Sequence, residues 1–193
     1  MRFARMAVFL QLAACSYFVF TVPKYTASPE NVMVLRGLHQ RPVNVGPFSA
    51  VRENTALSCR GEARVATDDG EPFSQYIRAA LVSELKMADA YDPNAAVTIT
   101  GLVERADFYS ASKRWEIELT VSSSNGRRMH IDGSWYWRDN YSSAPAGCQD
   151  AATSLVPAVQ DTISRIVNDP TFPAFLAAPE AGPGTPIPGV ALP

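Results

Sequence analysis

The chain has 193 residues, of which 47% are hydrophobic, and its formal net charge is −2. This length fits one domain with short flanking segments, and the composition is sufficient for a buried core. The charge argues against a nucleic-acid-binding protein, because phosphate binding requires clustered Lys and Arg, and the densest basic patch is only Arg127 and Arg128.

The first fifteen residues form a recognisable targeting pattern. Arg2 and Arg5 precede an apolar run over residues 6–12, and Leu-Ala-Ala-Cys follows at residues 12–15. This arrangement resembles the lipobox of bacterial lipoproteins, in which a peptidase cuts before the cysteine and the thiol carries a lipid. The resemblance implies a signal peptide over residues 1–14 and lipidation of Cys15.

Two alternatives exist for the same segment. Residues 6–22 are nearly all apolar, so they could form a signal anchor at the short limit for spanning a bilayer. A cleaved secretory signal with Cys15 as a bystander is the third interpretation. Ser16, rather than Asp, follows the cysteine, and by resemblance to enterobacterial sorting rules this implies an outer-membrane lipoprotein facing the periplasm.

The remaining two cysteines form an even pair. With Cys15 lipidated, Cys59 and Cys148 would lie in an oxidising compartment, where paired cysteines usually form a disulfide. Two buried free thiols are the alternative. The export signal favours a Cys59–Cys148 disulfide.

Four segments are predicted before the first helix. Residues 15–30 are expected to be a lipid-anchored tether, since Pro23 and Pro29 interrupt regular structure. Apolar residues 31–38 predict a first strand, and the alternation of Val43 and Val45 predicts a short second one. Residues 56–65 alternate as a single edge strand.

The central and C-terminal parts carry clearer periodicity. A helix is predicted from Pro72 to Ala90, and a second, containing Pro157, over residues 148–167. Between them, strands are predicted at residues 97–108, 114–122 and 129–137, the last two joined by a two-residue turn at Asn125-Gly126. Phe172 and Phe175 are expected to fold back onto the core. Five prolines and three glycines in residues 177–193 predict a disordered tail.

This order defines the expected fold. It is an α+β domain over residues 31–176, with a mostly antiparallel sheet, two helices on one face, and the order β–α–β–β–β–α.

The sequence offers no convincing catalytic group. His130 and Asp132 share a strand face without a nucleophile tied to them by spacing, and a surface histidine is the simpler interpretation. Asp68, Asp69 and Glu71 are typical of a solvated turn rather than a cation site. We therefore predict no catalytic residue, no metal ligand and no cofactor.

Aromatic residues near the hairpin are the remaining candidates. Trp115, Trp135 and Trp137 lie on the apolar strand face and are predicted to be core. Exposed tyrosine and arginine are favoured at protein contacts, so Tyr136, Arg138 and Tyr141 are the predicted partner contact.

The lipobox, the tether, the element order and the Trp-bearing hairpin together resemble small lipoproteins of bacterial envelope machinery. These include the lipopolysaccharide-assembly lipoprotein, auxiliary lipoproteins of ABC-type transport systems, and CsgG/TolB-N-like domains. The resemblance implies a noncatalytic accessory or assembly factor, anchored by its lipid, that contacts a protein of the envelope. The alternative is a periplasmic module that binds lipid or glycan, and an enzyme comes third.

Overall fold

A computed structural model describes residues 18–38, 41–61, 63–138 and 143–177 of the chain. Cys15, Tyr141 and, apart from Ala177, the predicted tail over residues 177–193 lie outside these ranges. In chain order the elements are β1 (Phe18–Thr21), α1 (Pro29–Gly37), β2 (Asn44–Ala50), β3 (Ala56–Cys59), β4 (Ala63–Ala66), α2 (Phe73–Met87), β5 (Thr98–Tyr109), β6 (Arg114–Ser123), β7 (Arg128–Tyr136), α3 (Ala144–Val167) and α4 (Phe172–Leu176).

The larger sheet has the strand order β2-β5-β6-β7. β2 runs parallel to β5, which requires a crossover through α2, and the other pairs are antiparallel. Helices α2 and α3 cover one face of this sheet. The α+β class is confirmed, and the predicted β–α–β–β–β–α order is that of β2, α2, β5, β6, β7 and α3.

The β6–β7 hairpin follows from strict alternation. Every second residue of β6, from Trp115 onward, is buried, and Trp115 pairs with Trp135 across the ladder. The predicted two-residue turn is wrong in type. The Ser123 N–H donates to the Arg127 carbonyl at 2.9 Å, and only Gly126 of the turn has positive φ. These features describe a three-residue loop whose last residue is a glycine in the left-handed conformation.

Both predicted helices are confirmed. α3 begins four residues earlier than expected, at Ala144, because Pro145 suits the first turn, where a missing N–H costs nothing. The helix continues through Pro157. Phe172 and Phe175 are fully buried, as predicted.

A smaller sheet of order β1-β4-β3 corrects one prediction. Residues 56–65 are not one strand but the antiparallel pair β3 and β4. Arg60 and Gly61 both have positive φ and reverse the chain between them. The alternating pattern concealed this turn because Gly61 fell in phase with the apolar positions.

The strand predicted at residues 31–38 is also wrong, since residues 31–37 belong to helix α1 and Leu38 is its C-cap. Ser28 caps the helix by accepting from the Asn31 N–H, and Pro29 lies in the first turn. Val32 and Leu35, three residues apart, are the buried apolar positions. A short apolar run does not distinguish helix from strand, whereas the Ser-Pro-Glu start does.

The tether predicted over residues 15–30 is corrected from residue 18 onward. Phe18–Thr21 pairs in parallel with β4, and residues 22–28, although irregular, are packed on the domain. The attachment depends on Glu84, a fully buried residue of α2. Its Oε1 accepts from the Tyr25 hydroxyl at 2.5 Å, from the Ser28 N–H at 2.9 Å and from Asn31 Nδ2 at 3.3 Å.

The Cys59–Cys148 disulfide is confirmed, with Cα atoms 5.9 Å apart. Both cysteines are only 1% exposed. The bond joins the end of β3 to the first turns of α3, and it therefore fastens the small sheet to the helix that covers the large one.

Candidate interaction surface

The face of the large sheet opposite α2 and α3 carries the exposed polar side chains of β5, β6 and β7. Along β6 and β7 these residues alternate with buried ones, so their side chains share one surface. In β5 the register shifts between Val103 and Arg105, and this bulge leaves both Glu104 and Arg105 exposed. We call this surface the outer face.

One end of the outer face carries a row of two tyrosines and an arginine. Arg114 opens β6 and pairs with Tyr109 on one side and with Tyr136 on the other. Its Cζ lies 5.4 Å from the centre of the Tyr109 ring and 5.7 Å from that of Tyr136, within cation–π range. Arg114 Nη1 also donates to the Tyr136 hydroxyl at 3.2 Å, which raises the pKa of the guanidinium.

The two tyrosines of the row are exposed, and Arg114 between them is half-buried. Tyr109 is 43% and Tyr136 61% exposed. Arg114 forms an ion pair with Glu116 that helps to fix its orientation. The row is thus an ordered amphipathic surface that needs little further ordering to bind a partner.

An ion-pair network continues from the row along the outer face. Arg105 Nη1 lies 2.8 Å from Glu116 and 3.3 Å from Glu118. The hydrogen bond that Arg105 donates to the Glu116 carboxylate, followed by the charge of Glu118, raises the pKa of Arg105. These solvated pairs contribute little to stability, but they set the charge pattern that a partner would meet.

His130 belongs to this solvated network. Its Nδ1 lies 3.4 Å from a Glu104 oxygen and 3.2 Å from the Thr120 hydroxyl, and its side chain is 55% exposed. Asp132 is exposed on the same strand. Within the ranges that the structure describes, no group of three or more His, Cys, Asp or Glu side chains could hold a metal.

The space between the sheet and α3 is filled. Trp115 is fully buried, and its Nε1 donates to the Ala151 carbonyl at 2.9 Å and to the Ser154 hydroxyl at 3.2 Å. The gap bounded by Trp115, Ile117 and Thr162 is too narrow to hold a water molecule. A larger cleft of ≈ 270 Å³ lies beyond the end of β2, and its lining includes the polar residues Arg52, Asn54 and Asp107.

The structure places two of the three predicted contact residues on the surface. Tyr136 and Arg138 are exposed, and Tyr136 belongs to the row. Sequence reasoning missed Tyr109 and Arg114, which join Tyr136 only through the pairing of three strands. The alternation of apolar and polar residues in β5 and β6 was the signal that could have identified Tyr109 and Arg114, because both occupy polar positions of that alternation at strand ends.

The prediction for the tryptophans is confirmed in full only for Trp115. Trp135 and Trp137 are half-buried at the border of the core. The Trp137 Nε1 is buried without a hydrogen-bond partner among the described residues.

The fold and this surface define a small disulfide-bonded α+β domain with an exposed tyrosine–arginine row. No protein-family model matches the sequence, and no curated protein matches it. Among solved structures, the chain is similar to protein XCC0632 from Xanthomonas campestris, assigned to family DUF330. The TM-score is 0.50 at 13% identity, over 79% of this chain and 95% of the other. At such identity the likeness shows the fold alone.

Within the described ranges, every helix is too short or too polar to cross a bilayer.

Proposed function

We propose that this chain is a lipoprotein anchored through Cys15 to the outer membrane, where it acts as a noncatalytic accessory factor for a protein complex of the bacterial envelope. Its domain would face the periplasm and contact its partner through the tyrosine–arginine row. The observation that carries the partner contact is that row, in which the exposed Tyr109 and Tyr136 are held in place by the half-buried Arg114 between them.

The position of β1 supports lipidation over the alternative of a signal anchor. Residues 18–21 are a strand paired with β4, and Val22 is buried in the core. These residues therefore take no part in a spanning helix. The apolar residues that remain, 6–17, would extend about 18 Å as a helix, well short of the roughly 30 Å of hydrocarbon to be crossed.

The disulfide supports an extracytoplasmic location. Disulfides persist in oxidising compartments such as the periplasm and are rare where thiols are kept reduced. The bond between Cys59 and Cys148 leaves Cys15 as the cysteine available for lipid.

The filled core favours an accessory role over a module for lipid or glycan binding. Such a module needs a roomy groove between helices and sheet, and apolar ligands need apolar walls. The gap beneath α3 at Trp115 is closed, and the cleft beyond β2 has polar residues in its lining.

The first experiment measures the intact mass of the protein extracted from membranes of a Gram-negative host. The expected mass is that of residues 15–193 with an attached diacylglyceryl or triacyl group and without the two thiol protons of the disulfide. An unprocessed chain would contradict the proposal.

The second experiment tests the row in living cells. A photo-crosslinking amino acid replaces Tyr136, and a matched control carries it at Met33, which is 72% exposed on α1. We expect a discrete adduct with an envelope protein from position 136 alone, weakened by the additional change Arg114→Ala. Equal adducts from both positions would refute a specific contact at the row.

A further inference from the structure

An apolar pair marks the beginning of the described chain. Phe18 is 71% and Val19 is 58% exposed, although both lie in strand β1. The two residues are consecutive and their side chains point to opposite faces of the small sheet. Isolated exposed apolar residues are ordinary, whereas adjacent ones at a sheet edge favour contact with an apolar environment.

Several neighbouring groups extend this apolar end. Phe18 pairs with Ala63, beside the β3–β4 turn. A small cleft of ≈ 50 Å³ is lined there by Phe18, Phe20, Ala63, Ala144, Pro145, Arg60 and the two bonded cysteines. Apart from Arg60, none of these side chains is charged. We call this region the β1 end.

Arg60 gives the β1 end a positive charge. It lies in the β3–β4 turn and is exposed. Its guanidinium passes close to the first turns of α3, since a Cβ added at Gly147 would lie 3.0 Å from Arg60 Nη2. An arginine beside exposed aromatic and aliphatic groups suits the border between lipid phosphates and acyl chains.

Chain length ties the β1 end to the proposed anchor. Cys15 precedes Phe18 by three residues. Even a fully extended chain would therefore keep the two Cα atoms within about 11 Å of each other. A lipid on Cys15 that is embedded in a leaflet thus holds Phe18 at the membrane surface.

We infer that the β1 end lies directly on the phospholipid bilayer, with Phe18 and Val19 in its interface and Arg60 at the phosphates. This inference rests on the proposed lipidation of Cys15. The occupant of this surface is the bilayer that carries the chain's own anchor. The domain consequently has a fixed orientation on the membrane.

The test uses the lipidated protein, residues 15–193, in vesicles of phosphatidylethanolamine and phosphatidylglycerol. These vesicles contain a phospholipid with a diazirine near the start of its acyl chain. After illumination and digestion, mass spectrometry locates the label. We expect label at residues 18–20 and 60–61, and none at Met33 or Met87, which are comparably exposed on α1 and α2.

A matched pair of variants completes the test. Phe18→Ser combined with Val19→Ser should reduce labelling of the β3–β4 turn by about tenfold, because burial of one such side chain is equivalent to at least that factor. Met33→Ser should leave it unchanged. Unaltered fluorescence of the three tryptophans would verify that each variant is folded.

The outcomes separate the two proposals. A protein whose mass shows no lipid overturns the proposed anchoring and this inference together. A lipidated protein that is labelled equally at Met33, or only on its Cys15 peptide, overturns the orientation and leaves the anchoring intact.

Discussion

The Cys59–Cys148 disulfide offers the sharpest test of how this domain is held together. The double substitution Cys59→Ala and Cys148→Ala removes a bond that joins residues 89 apart in sequence. In the chain-entropy model, closing a loop of about 90 residues stabilises the folded state by about 4.6 kcal/mol. That is a large part of the roughly 5–15 kcal/mol by which domains are stable.

Urea unfolding, followed through the fluorescence of the three tryptophans, of which Trp115 is fully buried, measures this loss. We expect the free energy of unfolding to fall by roughly 3–5 kcal/mol, with a larger m-value because the unfolded chain is no longer cross-linked. Wild-type protein unfolded and refolded under reducing conditions is the control and should match the variant. A loss below about 1 kcal/mol would refute the argument, since it would mean that the cross-link restricts the unfolded chain little.

Three further predictions concern close packing, a buried hydrogen-bond network and pH. Gly101→Ala should lower the free energy of unfolding, measured by urea titration, by about 1–3 kcal/mol, because the new Cβ would lie 2.6 Å from ring atoms of buried Phe48. Phe48→Ala in the same chain should remove that clash. Losses of the two variants that simply add in the double variant would therefore contradict the clash. Glu84→Ala leaves the Tyr25 hydroxyl and nearby donors unpaired, so the free energy of unfolding should fall by about 3–5 kcal/mol. Residues 22–31 should also lose protection from amide hydrogen exchange. Unchanged protection there would refute the argument that Glu84 holds this segment on the domain. Burial raises the pKa of both Tyr25 and Tyr76, so the folded state keeps protons that the unfolded state releases above about pH 10. The free energy of unfolding should therefore fall above that pH by about 1.4 kcal/mol per pH unit for each tyrosine. Tyr76→Phe should halve the part of this slope that the two tyrosines cause, and an unchanged slope would exclude a contribution from Tyr76.

Long periodic segments could be predicted from the sequence because their signals are local. In β6 the alternation from Trp115 to Val121 gives strand type and buried face together, and the apolar stripe of α2 from Phe73 to Leu85 does the same for a helix. Such patterns repeat over several turns or pleats, so one ambiguous residue does not alter the assignment.

Short segments carry weaker local signals than long ones, and they depend on distant partners for stability. α1 has only nine residues, too few for a stable isolated helix, and its Asn31 depends on Glu84 and on the Gln160 carbonyl. Residues 22–28 look like a tether, yet they are held by that same carboxylate. No local pattern encodes a contact with a residue more than fifty positions away.

The interaction surface was predictable only in part for a related reason. Tyr136 was predicted from its residue type and from its outward position in the strand alternation. Its neighbours in the row depend on the register of β5 against β6, which the Tyr109–Arg114 pairing fixes. A slip of one residue would move Arg114 to the buried face, so the row exists only because the apolar face determines the register.

The two proposed contacts lie on different parts of the domain, and the disulfide links the β1 end to α3, the helix that packs beneath the strands of the row. An anchor at Cys15 would hold β1, whose four described residues pair with β4 at the edge of the small sheet. Such a short parallel ladder is a weak attachment by itself. The small sheet is fastened to α3 by the disulfide, and α3 in turn packs on β6 and β7, the strands that carry Arg114 and Tyr136.

A second attachment runs through the segment after β1. Val22 is buried, Gln160 of α3 donates to the Thr26 carbonyl at 2.8 Å, and Glu84 binds Tyr25 and the Ser28 N–H. Both attachments end on the helices beneath the outer face. If the membrane holds the β1 end, these links transmit its orientation to the tyrosine–arginine row. Loss of the disulfide should then weaken the in-cell adduct at Tyr136 even under conditions where the variant remains folded.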